Sequence, residues 1–151
     1  MKVELKHLAG YLPYGLKAVK LYRPHGQENK VKESIIEIKG LFIDSDSLRF
    51  VANMGYDNYC DSSFKPILRP LSDLTEEIEH NGESFIPIDW LEDKYYTLSL
   101  HKECERLLEE YGHLWFNQMS HLLVIHLYEW HFDVHNLIPN GLAININDLN
   151  K

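Results

Sequence analysis

The stretch that decides the fold is Asn117 to His135, which reads NQMSHLLVIHLYEWHFDVH. At about 100° per residue, Leu123, Leu127 and Trp130 fall on one side of a helix. Further apolar side chains widen that side through most of the circumference. A helix that is apolar over so wide an arc is normally covered on several sides. The spacing therefore predicts a buried central helix over 117–135, with the rest of the chain packed on it.

The same run argues against a membrane protein. Its apolar residues are interrupted by His126, Glu129 and Asp133, so the run is too mixed to span a bilayer. Charged residues also interrupt the segment from Lys2 to His7, where a signal peptide would need an apolar run. We expect neither membrane association nor export.

Composition points to one globular domain over residues 1–151, because the chain is long enough for a real core. Apolar residues make up 44% and aromatic residues 12%, which argues against intrinsic disorder. The two cysteines, Cys60 and Cys104, lie far apart and form no Cys-x-x-Cys pair. This pattern excludes a zinc ribbon and favours reduced thiols in a cytoplasmic protein.

The net charge of −8 is unevenly distributed. Residues 1–40 hold eight Lys or Arg against four Asp or Glu, whereas residues 41–151 hold seven against nineteen. A strongly acidic surface repels phosphate backbones, so direct nucleic-acid binding is disfavoured. The basic N-terminal part could still touch nucleic acid, although mixed charges on the faces of strands explain it as well.

Alternating apolar and polar residues predict strands at Gly15–Arg23, Ser34–Ile43 and Leu48–Ala52. Their connections are too short for crossover helices, so an antiparallel meander is expected. Phe64–Leu68 is predicted to return as a fourth strand, and Pro66 favours an edge position for it.

Helical patterns follow. We expect a helix over Asp73–Glu79, a turn at Asp89–Leu91, and an amphipathic helix over Leu98–Tyr111 that Gly112 ends. A last short strand is expected at Leu142–Ile146. The predicted fold is α+β, with an N-terminal antiparallel β-meander packed on a C-terminal helical half around the buried central helix.

Five phrases carry a resemblance to a known family. They are YLPYGLK at Tyr11–Lys17, KPILRPLSDL at Lys65–Leu74, EIEHNGE at Glu77–Glu83, EWHFDV at Glu129–Val134 and GLAIN at Gly141–Asn145. Together they resemble a family of small uncharacterised proteins encoded by phages and prophages of Bacteroidetes bacteria. The likeness spans most of the chain, with a divergent stretch between roughly residues 23 and 63. It implies a phage or prophage product in a bacterial cytoplasm, and it offers no catalytic residue to carry over.

Histidines raise a metal hypothesis. His131 and His135 are four residues apart, so on a helix they share a face, as zinc-binding pairs do. A third ligand would have to come from elsewhere, such as His101, His113 or a carboxylate. The alternative is that these histidines are hydrogen-bonded within a core or groove.

Glu129 and Asp133 are also four apart and could serve acid–base work or bind a cation, although a solvated helix stripe explains them as well. No Ser-His-Asp series, phosphate loop or dinucleotide fingerprint is present in the sequence. Cys104 sits on the apolar face of its helix, where cysteines are usually inert. The sequence predicts no cofactor.

Two segments are candidates for binding a partner. The loop from Asn53 to Ser63 contains Tyr56 and Tyr59, and exposed tyrosines suit interfaces. The segment from Asp73 to Asp93 has eight Asp or Glu and no Lys or Arg, with Glu76, Glu77 and Glu79 at its centre. Such a segment could present carboxylates where a target expects phosphates, or it could simply be a soluble acidic surface.

The leading hypothesis is a non-enzymatic phage or prophage accessory protein that binds another protein, for host takeover or counter-defence. The partner, from host or phage, is not identified by the sequence, and the oligomeric state stays open. A small metal-dependent enzyme using His131 and His135 is the first alternative. A virion or assembly component is the second, and gene neighbourhood would separate it from the leading hypothesis.

Overall fold

The computed structural model describes residues 2–23, 31–52, 57–95 and 100–149, and for residues 57, 58, 101 and 113 only the backbone is described. The chain forms two compact units. We call Met1–Leu68 together with Leu137–Lys151 the sheet unit, and Arg69–Asn136 the helical unit. Strands dominate the first and helices the second, which confirms the predicted α+β class. That the chain is a single domain stays a prediction.

The strands are β1 (Lys17–Tyr22), β2 (Lys32–Asp44), β3 (Ser47–Ala52), β4 (Asp57–Tyr59), β5 (Phe64–Leu68), β6 (Ile78–His80), β7 (Glu83–Phe85) and β8 (Ile144–Asn145). The α-helices are α1 (Leu5–Leu8), α2 (Pro87–Tyr95), α3 (Leu100–Tyr111) and α4 (His121–Glu129). Short 3₁₀ segments cover Ala9–Tyr14, Leu71–Thr75, Gly112–Gln118 and Ile146–Asp148.

The sheet unit is built on the predicted meander. Its six strands lie in the order β4-β3-β2-β1-β5-β8, and β1 to β4 pair antiparallel. The β2–β3 connection is a two-residue turn in which Ser45 and Asp46 both have positive φ, at 46° and 68°. Such a turn matches the right-handed twist of paired strands, so it fixes their register. The register shifts between Ile38 and Gly40, which is the signature of a β-bulge.

The fourth predicted strand is present as β5, but its predicted edge position is wrong. β5 pairs with β1 on one side and with β8, in parallel, on the other. The parallel pairs involve Ile67 and Leu68, beyond Pro66, so the missing N–H of the proline costs no bond on that side. The chain of the helical unit is the long connection that a parallel pair requires.

The core of the sheet unit combines the strands with the N-terminal segment. Phe50 and Phe64 lie with their ring centroids 4.8 Å apart, and both are buried. The other fully buried side chains include Leu8, Tyr11, Leu16, Ala18 and Leu68. At about 25 cal/mol per Å² of apolar surface, burial of such rings is the main stabilising term.

The helical unit departs from two predictions. A helix was expected over Asp73–Glu79, but the chain forms a 3₁₀ turn and then the β6–β7 hairpin, whose turn is Asn81-Gly82. A turn was expected at Asp89–Leu91, but these residues lie inside α2. The amphipathic helix α3 is confirmed, and Gly112 follows its end with a φ of +55°.

The central helix is shorter than predicted, because α4 ends at Glu129 rather than near His135. The N–H of Phe132 donates to the carbonyl of Leu127 and that of His131 to Tyr128, while His131 takes a φ of +60°. These are the two hydrogen bonds of a Schellman cap, which stops a helix. The chain then bonds to Arg69, whose N–H donates to His131 and whose carbonyl accepts from Asp133.

The predicted apolar side of that segment is nevertheless buried. Leu123, Leu127, Trp130 and Val134 are all at most 8% exposed. Burial therefore continues past the helix, through the residues that bond to Arg69. Across the described ranges, no helix combines the length and apolar character that crossing a membrane requires.

Candidate functional site

Tyr59 ends the edge strand β4 and is 49% exposed. It faces Arg49 on β3, and Arg49 in turn faces Phe42 on β2. The Arg49 guanidinium carbon lies 4.6 Å from the Tyr59 ring centroid and 5.5 Å from that of Phe42. We call Phe42, Arg49 and Tyr59 the aromatic ladder. Each cation–π contact at a partly exposed site contributes about 0.5–1 kcal/mol, so the ladder orients the exposed ring.

An ion pair anchors the ladder. Arg49 Nη1 donates to Asp44 Oδ2 at 2.7 Å, and this hydrogen bond lowers the pKa of Asp44 below its ordinary value. The backbone at the end of β4 is held separately, because Lys20 Nζ donates to the Tyr59 carbonyl at 3.1 Å and to Asp61 Oδ1 at 3.0 Å. Arg49 thus holds the Tyr59 ring, and Lys20 holds the backbone that carries it.

A groove of about 540 Å³ lies beside Tyr59 within the sheet unit. Its apolar lining includes Ile43, which is 63% exposed, and charges of both signs surround it. Its further lining includes Val3, Leu5, Leu48 and Cys60. Tyr56, the other tyrosine predicted to bind a partner protein, lies outside the described residues.

Of the acidic candidates, Glu79 lies on the β6–β7 hairpin, and Glu76 and Glu77 lie directly before it rather than on a helix. Glu76, Glu77, Glu79 and Glu83 are all exposed. Within the described part of the chain, none of these four carboxylates forms an ion pair. We call them the acidic hairpin. Their charges are open to solvent and to any basic partner.

The proposed metal ligands lose the helical face on which the hypothesis was based. His131 and His135 follow the end of α4, so a four-residue spacing no longer places them side by side. His135 Nε2 lies 3.3 Å from the Tyr128 hydroxyl, and its ring meets Phe116 edge-on at 5.0 Å. Among the described residues, no three His, Cys, Asp or Glu side chains are grouped to hold a metal ion. The side chains of His101 and His113 are outside that description, so metal binding stays a hypothesis.

The predicted carboxylate pair, Glu129 and Asp133, also loses its shared helical face. Asp133 lies beyond α4 and is 2% exposed, so the expected solvated stripe is wrong at that position. Glu129 instead turns toward His126, with 2.9 Å between its Oε2 and the imidazole Nδ1.

His126 joins a site that the sequence did not predict. Its Nε2 lies 2.7 Å from the hydroxyl of Tyr95, so Glu129, His126 and Tyr95 form a continuous hydrogen-bonded series. Trp130 stacks on the imidazole at 5.3 Å, and Trp90 meets it edge-on at 4.9 Å. The side chain of His126 is 12% exposed, and that of Glu129 is 35% exposed. The aromatic rings therefore hold the imidazole in one orientation.

The sequence could have indicated the contact between His126 and Glu129, but not the contact between His126 and Tyr95. His126 and Glu129 are three residues apart on α4, a spacing at which helical side chains meet. Tyr95 lies 31 residues from His126 along the chain and reaches it through the tertiary fold, which brings Tyr95 and Trp90 of α2 onto the imidazole.

Comparison with known proteins returned no match: no family model, no curated protein and no solved structure matches the chain.

Proposed function

We propose that this chain acts by binding another protein through the groove beside Tyr59. One observation carries the proposal: an aromatic side chain at a sheet edge is half exposed, yet is held in place by Arg49. Aromatic rings that are both exposed and oriented lose little conformational entropy on binding, which is why tyrosines anchor protein interfaces.

The occupant that best fits the groove is an extended segment of the partner. β4 is the outermost strand in the order of the sheet, and an extended segment can pair with an edge strand while placing side chains in a neighbouring pocket. Ile43 and Leu48 supply apolar surface for one such side chain. The setting we propose is a bacterial cytoplasm during phage or prophage expression, to which the resemblance to those proteins points.

A cross-linking experiment tests the location. A photo-reactive residue is placed at Ile43, in the groove, or at Ile35, which lies on the same strand with 58% exposure but does not line the groove. The proteins are expressed in a Bacteroidetes host and the cross-linked species are identified by mass spectrometry. We expect a defined adduct from position 43 and none of equal yield from position 35.

The identified partner is then purified for affinity measurements. Tyr59→Ser should weaken binding about tenfold or more, because an oriented anchor is removed. Tyr22→Ser is the matched control, since Tyr22 is 46% exposed on β1 and lies away from the groove. Equal adducts from both isoleucine positions, or equal losses from both tyrosine variants, would remove the proposal.

A second surface with support of its own is the acidic hairpin. Its four carboxylates are exposed and lack ion-pair partners among the described residues, so a basic protein could bind there by long-range attraction. Binding of this kind weakens steeply with salt, whereas the apolar groove predicts weak salt dependence. The salt dependence of the purified complex therefore distinguishes the two surfaces.

A further inference from the structure

We propose that Glu129, His126 and Tyr95 form an acid–base series that makes the Tyr95 hydroxyl a nucleophile toward activated acyl esters. A nucleophile within hydrogen-bond reach of a base, with a third group orienting that base, is the arrangement that defines nucleophilic catalysis in many folds. The inference goes beyond protein binding, and it concerns the helical unit alone.

The hydrogen bonds fix the direction of proton transfer. An ionised carboxylate only accepts, so the 2.9 Å contact to Glu129 places the imidazole proton on Nδ1. In the neutral imidazole, Nε2 is then an acceptor, and the Tyr95 hydroxyl donates to it at 2.7 Å. His126 is therefore the base for Tyr95, and Glu129 is a positioning residue.

A cation lies over the aromatic rings of this site. Lys94 Nζ lies 4.1 Å from the ring centroid of Trp90 and 5.9 Å from that of Tyr95. Lys94 is exposed, so this side of the site is open to solvent. A positive charge over the Tyr95 ring favours the phenolate over the neutral phenol.

The proposed reaction needs only the ester and water. Tyr95 Oη bonds to the carbonyl carbon of the ester while its proton moves to His126 Nε2. The bond from that carbon to the leaving oxygen breaks, and this oxygen takes the proton from Nε2. The products are an O-acyl tyrosine and an alcohol, and attack by water then releases a carboxylic acid and restores Tyr95.

The same unit contains a comparison pair. Tyr128 and His135 also face each other, but at 3.3 Å between the hydroxyl and Nε2. Burial raises the pKa of Tyr128 above its ordinary value, which makes its hydroxyl a poorer nucleophile. If proximity to any histidine were enough, Tyr128 would react as readily as Tyr95.

The test uses the full chain with p-nitrophenyl acetate as the probe. Acetylation is followed by release of nitrophenolate and mapped by peptide mass spectrometry, and hydroxylamine separates tyrosine esters, which it cleaves, from lysine amides, which it leaves. We expect a hydroxylamine-labile acetyl group on Tyr95, at least about tenfold above Tyr128. Tyr95→Phe should remove it, and Tyr128→Phe should leave it unchanged.

Two further variants assign the roles. His126→Gly should abolish labelling of Tyr95, and added imidazole should restore it, which a merely structural role would not allow. Glu129→Gln should slow labelling, and Glu129→Asp should retain most of it. Circular dichroism checks that each variant is folded; if His126→Gly is not, the Glu129 pair decides. Equal labelling of Tyr95 and Tyr128, no label on Tyr95, or labelling insensitive to both His126 and Glu129 would overturn the proposal.

Discussion

The two units of this chain differ most in charge. The sheet unit has eleven Lys or Arg against nine Asp or Glu, a net charge of +2, whereas the helical unit has four against fourteen, a net charge of −10. Seven of the nine histidines also belong to the helical unit. The overall charge of −8 therefore describes neither unit. Charged partners have to be considered for each unit separately.

The units differ equally in where their apolar and aromatic side chains lie. The sheet unit exposes Ile35, Ile43 and Tyr59, each by about half or more. The helical unit instead packs its rings against one another, with Trp130 5.1 Å from Phe85 and 5.2 Å from Trp90. Among the described residues, exposed large apolar side chains are more numerous in the sheet unit, although Tyr111, Leu114 and Leu122 are exposed in the helical unit. The helical unit differs in holding the hydrogen-bonded pair Tyr95 and His126 among packed aromatic rings.

The largest expected effect comes from removing one buried ring in each unit. Trp130→Ala in the helical unit and Phe50→Ala in the sheet unit should each lower the free energy of unfolding by about 3–5 kcal/mol, because a cavity replaces a packed ring. Urea unfolding measures the change. A loss below about 1 kcal/mol for either variant would show that its packing is wrongly described.

The Phe50→Ala variant also tests whether the two units unfold together. All three tryptophans, Trp90, Trp115 and Trp130, lie in the helical unit, so their emission reports that unit alone. Circular dichroism reports both units. If Phe50→Ala shifts the dichroism transition but not the tryptophan transition, the units unfold independently; a common shift would show that they unfold as one.

The next effect concerns the two thiols, one in each unit. Burial raises the pKa of Cys60 to about 12 and that of Cys104 to about 11. At pH 8 the thiolate of Cys60 is then roughly a thousandfold scarcer than at its ordinary pKa of 9.0. Native protein should react slowly with iodoacetamide and unfolded protein quickly, with Cys60→Ser and Cys104→Ser assigning each product by mass. Rapid labelling of both thiols in the native protein would contradict the raised pKa values.

The sign of the pH effect on stability follows from the same shifts. The folded state keeps its thiol protons to higher pH than the unfolded state, which loses them near pH 9. Unfolding therefore becomes more favourable as pH rises from about 9 toward 11 or 12. Replacing both cysteines by serine should reduce that loss in urea unfolding measured at pH 8 and pH 10.

A smaller effect on stability, but a specific one on binding, is expected from the acidic hairpin. Reversing Glu76, Glu77 and Glu79 to Lys takes the helical unit from −10 to −4. Each substitution should change stability by no more than about 0.5 kcal/mol, because the side chains are exposed. Binding to poly-lysine should weaken and become less dependent on salt, because most of the net negative charge is removed. The matched control for Glu79→Lys is Glu109→Lys, at an exposed position of α3. Equal losses of poly-lysine binding would show that the net acidic charge, and not the hairpin, determines the binding.

The smallest expected effect is on metal content. We expect purified protein to carry well below one zinc or iron atom per chain, since His131 and His135 lie beyond the end of α4 and no third ligand is grouped with them among the described residues. Elemental analysis checks this. About one metal atom per chain, lost when both histidines are replaced, would promote the metal-dependent enzyme over a binding protein.

The local pattern of the sequence predicted the sheet unit well. Strands β1 to β3 and the short β2–β3 turn were expected from alternation and turn residues, and so was α3 with Gly112 after its end. These features depend on neighbours in sequence, such as the two residues that must take positive φ in a tight hairpin. Tyr59 was also chosen as a binding residue, but from a predicted loop at a position where the structure has strand β4, and Arg49 and Phe42, which orient its ring, were not chosen.

The failures share a cause. Glu76 to Glu79 have good helix propensity, yet Ile78 pairs with Phe85 across a hairpin. The segment after Trp130 is apolar at helical spacing, yet its backbone bonds to Arg69, and a histidine rather than a glycine takes the left-handed cap. Propensities are worth a few tenths of a kcal/mol per residue, so packing and backbone pairing with distant residues override them.

By itself, the sequence determined the α+β class, the burial of Leu123, Leu127 and Trp130, and the concentration of acid between Asp73 and Asp93. Each of these follows from which side chains leave water and which remain in it, a property of composition and period. Only the tertiary structure decided that Tyr95 meets His126, that Arg49 stacks on Tyr59, and that His131 and His135 leave the helix. Those contacts join residues far apart in sequence, or depend on backbone hydrogen bonds to the distant residue Arg69, and no local pattern encodes the closure of such loops.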